Sequence, residues 1–78
     1  MTPEQSRAAR AWLDMAQDEL AVAAGVSNST VRDFEKGRRT PIAATLAAMR
    51  RVLEERGIAF VEDEKTCGIA HAKPGKAP

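Results

Sequence analysis

The sequence predicts an all-α domain of four short helices followed by a short C-terminal β segment, and three observations predict it. Apolar residues recur at helical spacing in three stretches: Leu20, Ala21 and Ala24; Val31 and Phe34; Ile42, Leu46, Met49 and Leu53. Gly25, Gly37, Pro41 and Gly57 punctuate those stretches as helix stops and starts. After Gly57 the pattern changes to a short β-favouring run, Ile58-Ala59-Phe60-Val61-Glu62.

Thr2-Pro3-Glu4-Gln5 reads as the first helix start, with Thr2 as cap, Pro3 at the first helical position and Gln5 at the capping-box position. This helix is expected to run to about Leu13, with Ala9 and Leu13 turned inward and Met15 packing in the following turn. Ser6 and Ala9 are small for inward positions, which predicts either close packing or a loosely held helix. Trp12, the only tryptophan, reads first as a packed or surface ring and second as a partner contact. The second helix follows Ala16, which cannot cap as a Ser or Thr would; the loss of about 1 kcal/mol predicts a frayed start.

Gly25 can take the φ > 0 conformation that ends this helix, and Ser27 can cap the third, expected over residues 28–36 with Val31 and Phe34 inward. Pro41 opens the longest helix, capped by Thr40 and running to about Arg56, its apolar stripe facing the other helices. Ala43, Ala44, Ala47 and Ala48 leave much of its remaining surface small, suited to close approach by a second subunit. Cys67-Gly68-Ile69-Ala70-His71 reads as a second, weaker strand joined to the first by a turn at Asp63-Glu64-Lys65-Thr66. One hairpin is marginal alone, so residues 58–71 either lie on the long helix or pair with their copy as a dimerisation element. Residues 72–78 are expected to form a disordered tail.

A chain of 78 residues is one small domain with no room for a large cleft, and dimerisation would supplement its core. It has no apolar run long enough to cross a bilayer, and its start has neither a positive leader nor an apolar segment. The single cysteine, Cys67, forms no internal disulfide, which fits a reducing cytoplasm. The net charge of +1 is low for a nucleic-acid binder, but its distribution is uneven. Residues 1–24 carry −2 and residues 25–56 carry +3, and no acid stands between Lys36 and Arg51. The positive field is concentrated just beyond the third helix.

At Gln17, Leu20-Ala21, Gly25-Val26-Ser27, Val31, and Glu35 followed by Gly37 and Pro41, the chain resembles the phage-repressor-like (Cro/repressor, xenobiotic-response-element) helix-turn-helix regulators. The resemblance extends from about Thr2 to Arg56 and rests on joint spacing, since no single feature is specific. It implies a compact four-helix, lambda-repressor-like helix-turn-helix domain over residues 1–57, binding double-stranded DNA with the third helix in the major groove. The family usually has a further helix where this chain has its β segment. Glu35 at this place in similar proteins pairs with a first-helix arginine, which here is Arg10, and the resemblance implies a partly buried ion pair that fixes orientation.

Base reading falls to Asn28, Ser29, Arg32 and Asp33, with Thr30 as a further candidate. Asn matches adenine, Arg matches guanine and Ser several bases, while Asp33 could accept from a cytosine amine, repel DNA or orient Arg32. Phosphate contact falls to Gln17 and Ser27 at the two helix starts and to Lys36, Arg38 and Arg39 in the following loop. Each of these is otherwise an ordinary solvated polar residue.

The leading expectation is a sequence-specific transcriptional regulator acting as a homodimer in the cytoplasm. A second is an antitoxin or anti-activator type of module that uses the same fold to hold another regulatory protein. An enzyme is the weakest: the sequence has no nucleophile with a base at suitable spacing and no Gly-rich loop leading into a Lys. No cofactor is expected, and Cys67 with His71 falls short of a metal site.

Overall fold

Four helices and one antiparallel hairpin follow one another in a computed structural model that describes residues 1–72. They are α1 (Pro3–Leu13), α2 (Gln17–Ala24), α3 (Asn28–Glu35), α4 (Ala43–Glu55), β1 (Ile58–Glu62) and β2 (Cys67–His71). Residues 73–78 of the expected tail lie outside the described residues. Ala72, also assigned to that tail, is held instead: its N–H donates to the Gly57 carbonyl at 3.0 Å.

The α1 start forms the full capping box. Thr2 Oγ1 accepts from Gln5 N at 3.0 Å, and Gln5 Oε1 accepts from Thr2 N at 2.8 Å. At the α2 start, Glu19 Oε1 accepts from Ala16 N at 2.9 Å, the N3 half of a capping box, while Ala16 has no side-chain oxygen to accept from the first helical N–H groups. Asp14 ends α1 in the left-handed region, at φ 54°.

The core is built from Ala9, Met15, Leu20, Ala21, Val31, Phe34, Met49, Val52, Leu53 and Ile58, with Leu13, Leu46, Phe60 and Ile69 packed around it. Fully burying one of the larger side chains contributes roughly 1.5–3 kcal/mol. Two α4 expectations are corrected. The helix begins at Ala43 with Ile42 as its N-cap residue, so Thr40 is not the cap and Pro41 is not at the first helical position. Ile42 consequently stands 73% exposed, outside the stripe that Leu46, Met49 and Leu53 continue into the core.

The hairpin lies on α1 and α4. Its register pairs Ile58 with His71, Phe60 with Ile69 and Glu62 with Cys67. Phe60 and Ile69 pack against the core, while Ala59, Val61 and Ala70, on the opposite face, are exposed. Asp63 Oδ1 closes the turn by accepting from Lys65 N and Thr66 N, each at 2.8 Å. A buried Gln5 fastens the hairpin to α1, its Nε2 donating to the carbonyls of Val61 at 3.2 Å and Gly68 at 2.9 Å. Trp12 is 65% exposed, with its ring centroid 5.7 Å from that of His71.

Candidate nucleic-acid interface

The turn between α2 and α3 is set by Gly25 and Ser27. Gly25 caps α2 at φ 72°, a conformation open to glycine at little steric cost, and Val26 N donates back to Ala21 O at 2.9 Å. Ser27 Oγ accepts from Thr30 N at 3.1 Å and so starts α3. Its oxygen also lies 2.7 Å from Thr30 Oγ1 and 3.1 Å from Ser29 Oγ, which ties three hydroxyls into one cluster.

On α3, Val31, Phe34 and Glu35 are buried while Ser29 and Arg32 are exposed and Asn28, Thr30 and Asp33 are half-buried. Asn28 Nδ2 donates to Asp18 Oδ1 of α2, and Arg32 Nη1 donates to Asn28 Oδ1 at 3.3 Å. Asp33 and Ser29 line a cleft of about 500 Å³ together with Arg39, Thr40, Ile42 and Thr45. The helix ends at Glu35, with Lys36 as its C-cap residue, one residue short of the expected span.

Lys36, Arg38 and Arg39 are exposed, and none is in an ion pair among the described residues. The Asp33 carbonyl accepts from Arg38 N at 2.8 Å and Arg39 N at 3.4 Å, folding the basic loop back beside α3. Arg7 joins this flank without a place in the sequence-based set. It lines a second cleft with Lys36 and Arg38, and its Nη1 donates to the Glu35 carbonyl. The i, i+3 spacing of Arg7 and Arg10 on α1 is the signal that could have found it.

Arg10 and Glu35 form an ion pair, with Nη2 to Oε1 at 2.6 Å and side-chain exposures of 17% and 1%. Arg10 Nε adds a bond to Oε2 at 2.8 Å. Ser6 donates its hydroxyl to Glu35 Oε2, and Gln17 Nε2 donates to Oε1 at 3.0 Å. Burial pushes the Glu35 carboxyl up, but the hydrogen bonds from Arg10, Ser6 and Gln17, with the Arg10 charge, outweigh it and hold the group below the ordinary carboxylate range. The small residue at position 6 thus belongs to close packing around a carboxylate. Gln17 is half-buried and uses an amide N–H on Glu35, leaving its second N–H for any phosphate.

The arrangement gives a helix whose polar face and basic flank are presented together, braced from behind by one buried ion pair. No helix among the described residues is long and apolar enough to cross a membrane. No curated protein matches the chain. A family model described as helix-turn-helix matches residues 7–58 of the 78, a span that contains α2, α3, α4 and all but the first turn of α1. On that match the chain belongs to the helix-turn-helix family of the Cro/C1 type, a family of DNA-binding regulatory domains.

Proposed function

We propose that the protein is a sequence-specific transcriptional regulator of the cytoplasm that binds an operator as a homodimer, each copy laying α3 in the major groove. On this reading residues 1–57 are the DNA-binding domain, of lambda-repressor-like arrangement, and residues 58–71 are the candidate dimerisation element. One observation carries it: Val31 and Phe34 anchor α3 while Ser29 and Arg32 stay exposed on the same helix, beside the exposed cations of residues 36–39. Asn28, Ser29, Arg32 and Asp33 read bases, with Thr30 at their margin. Ser27, Gln17, Lys36, Arg38 and Arg39 hold phosphates, which fix register and supply most of the affinity. Two half-sites would lie about 10 bp apart, one helical turn.

Selection from random duplexes followed by footprinting tests this. The expected outcome is an enriched motif with two related halves, protected over both. The second reading, a module that holds another protein, draws on Trp12, Val22 and Ile42, which stand 65%, 82% and 73% exposed. A selection that enriches no motif favours it over DNA reading.

A further inference from the structure

The chain of hydrogen bonds from Arg32 through Asn28 to Asp18 joins the reading face to the first turn of α2. A carboxamide presents a donor at one end and an acceptor at the other, and a half-turn exchanges them. Here both neighbours oppose the exchange, and Asp18 is the closer of the two, the Arg32 contact standing at 3.3 Å. Asp18 Oδ1 can only accept, so Nδ2 must face it; the Arg32 guanidinium can only donate, so Oδ1 must face Arg32. Each end keeps one position unused, a second N–H on Nδ2 and a second lone pair on Oδ1. An N–H and a carbonyl side by side on one carboxamide match adenine in the major groove, and this orientation sets the acceptor on the Arg32 side.

Asp18 has a second effect through its charge. It is exposed in the first turn of α2, next to the helix that would enter the groove, where phosphates repel it whatever the sequence. It is therefore unfavourable to binding as a charge and useful as an acceptor.

We propose that Asp18 is a positioning residue for sequence reading: it holds the Asn28 carboxamide in one orientation, so that α3 distinguishes an A·T from a T·A pair, and it weakens attachment to duplexes in general. The inference rests on the reading of α3 as the DNA-reading helix. Asn28 touches the base; Asp18 acts through it. The residue converts general affinity into discrimination.

Two variants separate the acceptor from the charge. Asp18→Asn removes the charge and keeps a carbonyl oxygen for Asn28, whereas Asp18→Ala removes both. Each takes the same charge from the α2 start, and urea midpoints of both are measured alongside, because Asn and Ala differ in helix propensity. The full chain and both variants are put through selection from random duplexes, then titrated at two salt concentrations on the enriched duplex, its single-pair A·T to T·A exchanges, and a scrambled duplex. Both variants should bind the scrambled duplex a few-fold more tightly at low salt, with the gain fading as salt rises. Asp18→Ala should lose preference at one base pair per half-site, by about five-fold or more, the scale of one read pair. Asp18→Asn, whose carboxamide can offer Asn28 either a carbonyl or an N–H, should retain part of it. A wild-type selection with no motif overturns the DNA reading beneath the inference. A wild-type motif that Asp18→Ala keeps at every position, with equal preference, overturns the role of Asp18 alone.

Discussion

The Arg10 guanidinium meets the Glu35 carboxylate as a two-pronged pair, Nε 2.8 Å from Oε2 and Nη2 2.6 Å from Oε1, and so locks α1 to the end of α3. With Glu35 1% exposed, the pair is fully withdrawn from water on the acid side. Removing Glu35 leaves the largely buried Arg10 guanidinium with the Met15 carbonyl, at 2.9 Å, in place of a countercharge. Glu35→Ala should therefore cost about 3–5 kcal/mol. Urea titration measures it, and a loss below about 1 kcal/mol would contradict the bracing role.

The same carboxyl makes stability depend on pH. Its folded pKa is lowered, so its contribution is complete above the unfolded value, near 4.3 for a free Glu, and is lost as pH falls through the folded value. The stability difference between wild type and Glu35→Gln should shrink on acidification from neutral pH to below that range. Urea midpoints of both proteins across the range give the comparison; a difference that grew in acid would mean that the fold raises this pKa instead of lowering it.

Gln5 is 2% exposed, and both ends of its amide are held: Oε1 by Thr2 N, and Nε2 on two hairpin carbonyls. Gln5→Ala should destabilise the fold by about 1–3 kcal/mol. It should also speed hydrogen exchange at Ala59 and Ala70, between whose strands the amide sits, more than at Leu20 in α2. Uniform acceleration across the chain would mean that Gln5 does not fasten the hairpin in particular.

Arg32→Ala should lower discrimination at one base pair per half-site by about 1–3 kcal/mol if Arg32 reads a base. Titration against single-pair variants of the selected operator decides it. Unchanged preference at every position would remove Arg32 from the reading set.

Arg39→Ala should weaken all duplexes alike and lower the slope of log affinity against log salt by about 0.9, the signature of one lost phosphate contact per bound chain. A sequence-dependent loss would move Arg39 from the phosphate set to the reading set.

Much of this architecture is legible where the signals are local. Ser27 caps α3 and Gly25 ends α2 because both act within a few residues of themselves, and Val31 and Phe34 fall on the buried side by helical spacing alone. Ile42 escapes its stripe because the phase of a stripe is useful only once the helix start is known. That start depends on the loop path, which the Asp33 carbonyl fixes by accepting from Arg38 N and Arg39 N. Gln5 reads as a capping residue, which it is, but the sheet carbonyls that take its other end lie more than 50 residues away. The Asp18 to Asn28 contact crosses the turn between two helices, and no periodicity within either helix points to it.

The fastening of α1 to the hairpin has a consequence for the order in which the chain is assembled. Synthesised before the other elements described, α1 finds its closing partners in β1 and β2, across separations of 56 and 63 residues. Such long-range closure is entropically costly and slow to form. A nascent chain can thus make the α2–α3 pair early, but it completes its interior only once the hairpin has been translated, and until then α1 offers its buried face to whatever else is near.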